Sequence, residues 1–135
     1  MDEILTPIFD PYWSYFTENG ELLETFHFGR FNFQFYHITQ QHGWVRFKYR
    51  MFCFVPKYTA PILSIDLEYT SRRAYFLGLR EDDGHLNCGR VEKSMTYDEF
   101  RDWAYPLALE RLERARKIRR IAKSAYSLRL FFGDH

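Results

Sequence analysis

Two cysteines, Cys53 and Cys88, are all that the 135 residues contain. They supply neither a disulfide framework nor a closely spaced metal-binding motif. The start of the chain lacks a charged segment followed by an apolar one, and no apolar run is long enough to span a bilayer. A reduced, cytoplasmic setting without membrane attachment is the resulting expectation. The sequence also lacks a phosphate-cradling glycine loop and a Gly-x-Ser-x-Gly elbow. None of the five histidines forms a helical zinc pair. No cofactor and no metal are therefore expected. A Cys53–His37 nucleophile pair is conceivable, but Cys53 falls among apolar neighbours, where a thiol is inert.

Aromatic residues, by contrast, are abundant. They make up 20% of the chain, with 14 Phe and 10 Tyr. Thirteen of the 27 lie between Leu22 and Tyr69, where apolar and polar residues alternate as in half-buried strands. Gly29 in Phe28-Gly29-Arg30-Phe31 suits the first central position of a II′ turn, which needs φ > 0. That turn pairs Phe28 with Phe31, Phe26 with Phe33, His27 with Asn32 and Thr25 with Gln34. A five-residue turn from Thr39 to Gly43 would pair Ile38 with Trp44, Phe35 with Phe47 and Phe33 with Tyr49. Pro56 and Pro61 end the next strands. Pairing Phe54 with Ile62 sets Cys53 against Leu63, Met51 against Ile65, Arg50 against Asp66 and Lys48 against Glu68. The two faces stay segregated, one aromatic and one polar and basic.

Around this sheet the signals are local. Asp10-Pro11 starts a short helix to Thr17 that Asn19-Gly20 stops, a lid for one end of the core. Ala74 to Arg80 and His85 to Val91 read as further strands about an Asp82-Asp83-Gly84 turn. Thr96 and Glu99 form a capping box, with Met95 and Phe100 at the staple positions. Pro106 lies inside the helix so begun and predicts a kink or break near residues 102–105. Leu107, Arg111, Ala115, Ile118, Ala122 and Ala125 keep helical spacing beyond it. From Leu107 to His135 eight basic residues face three acids, a net +5 that leaves −4 for the rest of a chain of net +1. The apolar tail from Leu128 to Phe132 is expected to dock.

The expected fold is α+β: one domain over residues 1–135, an antiparallel meander of about six strands with a C-terminal helix on its apolar face. No catalytic set assembles, so binding is expected rather than catalysis. The leading expectation is a small inhibitor, immunity or adaptor protein acting on a protein partner. Tyr36, Trp44, Arg46, Lys48 and Arg50 on the polar face are its candidate binding residues, being of the types that dominate hot spots. The alternative is single-stranded nucleic-acid binding, through that face or through Arg116, Arg119, Arg120 and Lys123 on the C-terminal helix. A small-ligand pocket between sheet and helix is a further alternative.

Overall fold

Strand-forming aromatic segments separated by short polar turns fold into an antiparallel sheet, against which a long helix packs. The computed structural model describes residues 5–8, 10–69, 71–76, 84–90 and 95–132, and the side chains of 5–8, 10–69, 72 and 95–115. A short helix α1 (Trp13–Asn19) precedes β1 (Glu21–Phe28), β2 (Phe31–His37), β3 (Phe47–Phe54) and β4 (Leu63–Glu68). Backbone pairing continues to β5 (Ser71–Phe76) and β6 (Gly84–Arg90), before helix α2 (Tyr97–Phe132). Each strand pairs antiparallel with its neighbour in the sequence, and β1 forms one edge. An antiparallel sheet with a C-terminal helix makes the fold α+β.

The β1–β2 hairpin has the expected register, with Phe28 opposite Phe31, Phe26 opposite Phe33 and Thr25 opposite Gln34. Gly29 has φ +58°, and among the described residues no other residue type has positive φ. That pattern suits a II′ turn, which needs positive φ only at its first central position. The β3–β4 pairing also follows the alternation: Arg50 faces Asp66, Met51 faces Ile65 and Cys53 faces Leu63.

Between β2 and β3 the register differs from expectation. Phe33 lies opposite Cys53 rather than Tyr49, Phe35 opposite Met51 rather than Phe47, and Tyr36 opposite Arg50 rather than Arg46. The shift is four residues. An even shift leaves the side chains from Tyr49 to Phe54 on their original faces, so alternation alone could not detect it, whereas Phe47, beyond the irregularity before Tyr49, joins the opposite face. The connecting loop is correspondingly longer, with Ile38 N donating to Lys48 O at 3.0 Å rather than Ile38 pairing with Trp44. A bulge at Lys48 then separates the pairs Phe47–Glu68 and Tyr49–Leu67, so Lys48 does not face Glu68.

One face of the sheet carries the main core. Phe33, Phe35, Met51, Cys53, Leu63, Ile65 and Leu67 bury against Phe100, Ala104, Ala108, Leu112 and Ala115 of α2. Each large side chain buried there contributes roughly 1.5–3 kcal/mol relative to exposure. The helical stripe is thus set by Phe100, with Leu107 and Arg111 at its margin. Its start is the expected capping box: Glu99 N donates to Thr96 Oγ1 (3.2 Å), and Thr96 N donates to Glu99 Oε1 (3.0 Å). The expected break before Pro106 is absent, and α2 runs through it as one element. Pro106 is exposed, while Ala104 and Ala108 on either side are buried. Packing of those turns offsets an interruption that costs about 3 kcal/mol.

The other face departs most from expectation. It is covered. Phe16 of α1 joins Tyr36, Ile38, Phe47 and Phe52 in a second core, with Trp13, Tyr15 and Phe54 packed around it. The lid therefore closes the face that the sequence reading left to solvent. Gly20 permits the tight passage from α1 into β1: a Cβ there would lie 2.5 Å from Phe16 O.

Candidate binding site at the β2–β3 loop

The loop between β2 and β3 is built from the inside outward. The Gln41 amide donates to Phe47 O (2.7 Å) and accepts from Phe47 N (2.9 Å), so one side chain takes the place of a strand partner. Tyr15 Oη reaches Gln40 Oε1 at 3.3 Å and Gln41 O at 3.4 Å. The His42 ring lies against Tyr12 and Tyr15, with centroids 4.1 and 4.9 Å away. Gly43 turns the chain at φ +81°, a value that suits glycine alone. With its flanks held this way, the loop projects Trp44, whose side chain is 99% exposed. Val45, Arg46 and Tyr12 are exposed beside it.

Beneath the loop lies a buried charged cluster. Arg50 is 2% exposed and Asp66 0%. Arg50 Nε donates to Asp66 Oδ1 (2.8 Å) and Nη2 to Asp66 Oδ2 (3.2 Å), a side-on bidentate pair. Nη2 also approaches Ser64 Oγ (3.2 Å) and Asp10 Oδ2 (2.9 Å), while Ser64 Oγ donates to Asp66 Oδ1 (2.7 Å). The rings of Phe47, Phe52 and Phe16 surround the guanidinium, with centroids 4.1, 4.7 and 5.0 Å from its carbon. Burial draws the Arg50 pKa down, but Asp66 and Asp10 outweigh it and hold the group above its ordinary value. Burial pushes the Asp66 carboxyl up, against the pull of Arg50 and the Ser64 hydroxyl. Asp10 also accepts from Tyr12 N (3.0 Å), so one carboxylate fastens the segment ahead of α1 to the sheet, while the helix itself runs from Trp13 to Asn19 with no side-chain cap, rather than from Pro11 to Thr17 as expected.

A groove of about 330 Å³ runs between loop and lid. Tyr12, His42, Trp44 and Val45 form its rim, and Phe47, Asp10 and Arg50 lie deeper. A larger groove of about 450 Å³ lies between β1 and α2, lined by Phe26, His27, Arg101, Asp102 and Tyr105. Arg101 there is held by Glu24 (2.9 Å), Asp102 (3.1 Å) and Asp98 (3.3 Å).

The five residues expected to share one open face thus separate. Trp44 and Arg46 stay together at the surface. Tyr36 and Arg50 are buried under α1, which removes them from any exposed patch. Lys48 is turned by the bulge toward α2, where its Nζ donates to Met95 O at 2.7 Å. Arg116, Arg119, Arg120 and Lys123 lie on the backbone of α2, and their side chains are outside the described residues. The strand assigned to Ala74–Arg80 and the turn at Asp82-Asp83-Gly84 also fall partly outside them. Sequence reasoning missed Tyr12, His42, Asp10 and Ser64. Asp10 carried a helix-start signal, but its bond to Arg50 spans 40 residues and has no local signature.

Cys53 is a buried free thiol whose pKa is pushed up by burial. Among the described residues, no group of three or more His, Cys, Asp or Glu could hold a metal ion. No described helix is long and apolar enough to cross a membrane. Comparison with protein-family models, curated proteins and solved structures gives no match.

Proposed function

We propose that this chain is a non-catalytic binding protein of the small inhibitor, immunity or adaptor type, and that it meets a protein partner with the patch around Trp44. The observation that carries the reading is the 99% exposure of Trp44 on a loop whose base is hydrogen-bonded in place. An exposed indole on a held support loses little conformational entropy on binding and can fill a partner's pocket. Tyr12, Val45 and Arg46 add the aromatic, aliphatic and cationic contacts typical of an interface centre. Tyr69 extends the patch, since its N–H donates to Arg46 O (3.3 Å) and its side chain is exposed. The reading includes the full six-strand meander and a reducing, cytoplasmic setting, which the free thiol of Cys53 suits.

The test is site-specific crosslinking in the native host, with a photoreactive residue at Val45 and a control at Thr59. A discrete adduct from position 45 alone, competed by unlabelled protein and lost with Trp44→Ala, supports the reading. Trp44→Ala and Arg46→Ala should each weaken the interaction by more than about 1 kcal/mol. Stability should stay within about 0.5 kcal/mol, because neither side chain packs in the core. Equal adducts from both positions, or binding indifferent to both substitutions, refutes it. Binding of single-stranded oligonucleotides with a steep salt dependence, abolished by Arg116→Ala and Arg120→Ala, would replace it with the nucleic-acid function.

A further inference from the structure

We propose that the groove beneath the β2–β3 loop is a binding site for a neutral, planar nitrogen heterocycle with a hydrogen-bond acceptor beside an N–H donor on one edge, the pattern of a nucleobase. This concerns the groove below the crest of the loop, shares Trp44 with the partner patch, and does not depend on the partner reading.

The first observation is an unused donor. Asp66 takes the Nε and Nη2 side of the Arg50 guanidinium, and Ser64 and Asp10 also approach Nη2. Among the described residues, no acceptor bonds Nη1. Arg50 is almost wholly buried, yet it lines the groove. Nη1 is not sealed from solvent, and a ligand oxygen or ring nitrogen arriving there takes a charge-assisted hydrogen bond in place of water.

The second observation is the neighbouring acceptor. Asp10 Oδ1 holds one bond, from Tyr12 N, and Oδ2 holds one, from Arg50. Each oxygen of an ionised carboxylate can accept a further bond. The Asp10 side chain is 17% exposed, so a ligand can reach it. Arg50 Nη2 and Asp10 Oδ2 are 2.9 Å apart, so the guanidinium and the carboxylate lie side by side where both line the groove.

The remaining observations fix the class. Tyr12, His42 and Trp44 give the groove aromatic walls, on which a planar ring stacks. A volume of about 330 Å³ is at the lower end for small-ligand sites and suits a single ring system. Charge excludes anions. Arg50 is one positive group against two carboxylates, Asp66 and Asp10, so the cluster has one negative charge in excess. A phosphate would meet that excess, whereas a neutral base would not. The groove is thus suited to a base or nucleoside rather than to a nucleotide's phosphate.

The test is a nitrogen–proton NMR titration of the full chain with inosine, 1-methylinosine and inosine 5′-monophosphate. Inosine offers a ring carbonyl beside a ring N–H, and 1-methylinosine lacks that N–H. Inosine should give saturable shifts confined to residues 10–12 and 42–50. 1-Methylinosine should bind at least about tenfold more weakly, because it leaves Asp10 without its donor. The monophosphate should bind no more tightly than inosine. Trp44→Ala should weaken inosine by about fivefold or more through lost stacking, with the fold unaffected. Four results would overturn the proposal. These are no saturable shift at millimolar inosine, equal binding of 1-methylinosine, tighter salt-sensitive binding of the monophosphate, or shifts confined to the groove between β1 and α2.

Discussion

Arg50 and Asp66 make a sharp test of how the covered face is held. Asp66 accepts three hydrogen bonds, from Arg50 Nε (2.8 Å), Arg50 Nη2 (3.2 Å) and Ser64 Oγ (2.7 Å). Arg50→Met removes two of them and leaves a buried carboxyl with one hydroxyl for a partner. Asp66→Leu leaves a buried guanidinium with Asp10 as its remaining carboxylate. Breaking a buried pair from one side costs about 3–5 kcal/mol, because the surviving charge cannot be hydrated. Asp10 softens the second case, since its contact with Arg50 at 2.9 Å persists. Asp66→Leu is therefore expected near the lower end of that range and Arg50→Met near the upper.

The double substitution Arg50→Met with Asp66→Leu removes both charges and leaves apolar groups among Phe16, Phe47 and Phe52. Swapping a buried pair for apolar groups of similar volume is often neutral or stabilising. The double variant is expected to be more stable than either single variant, with an interaction energy of at least about 2 kcal/mol in the cycle. Urea unfolding followed by tryptophan fluorescence measures all four proteins, with equal m-values as the check on two-state behaviour. If the two single losses simply add, the pair is not coupled and the account of this face is wrong.

Two further outcomes follow from the termini of α2 and the β1 edge. Thr96→Ala removes the side-chain acceptor of Glu99 N and should cost about 0.5–2 kcal/mol, read from the same unfolding curves. Glu24 accepts from Arg101 and Tyr97, and these bonds hold its pKa below the ordinary 4.5. The unfolded chain then binds the proton more readily. The Glu24 contribution is present above about pH 4.5 and is lost as pH falls through the lowered folded value. Unfolding midpoints between pH 6 and pH 3 should fall less steeply for Glu24→Gln than for the unsubstituted protein, and parallel curves would contradict this.

Much of the sheet was legible because its turns are short. Phe28-Gly29-Arg30-Phe31 admits one register, and the alternation from Phe26 to Phe35 then assigns the faces. The β3–β4 pairing was legible for a different reason: Cys53 with Leu63 and Met51 with Ile65 match apolar residues on one side, while Arg50 meets Asp66 on the other. The β2–β3 loop offered no such constraint. Five residues or nine keep the same parity, and what decides between them is the Gln41 clamp on Phe47, a bond invisible before folding. Of the kink or break expected near Pro106, the break does not form, because Ala104 and Ala108 pack on either side of it.

The covered face had a signal of another kind. The segment FKYRMFCF places Phe52 and Phe54 on the same side as Arg50, and strands apolar on both sides are buried on both sides. Trp13, Tyr15 and Phe16 supply an aromatic helix of the size needed to cover it. Taken together, these residues imply a second layer. Arg50 taken alone implies solvent, because arginine is almost never fully buried without a partner. Its partners are Asp66, sixteen residues on, and Asp10, forty residues back. Burial of a charge is a property of the set that surrounds it, so the candidate site could be read only once α1 and β4 had been brought to opposite sides of one guanidinium. The exposed half was read only in part: Trp44 was expected on the polar face, but as a strand residue opposite Ile38, whereas it lies in the loop ahead of β3.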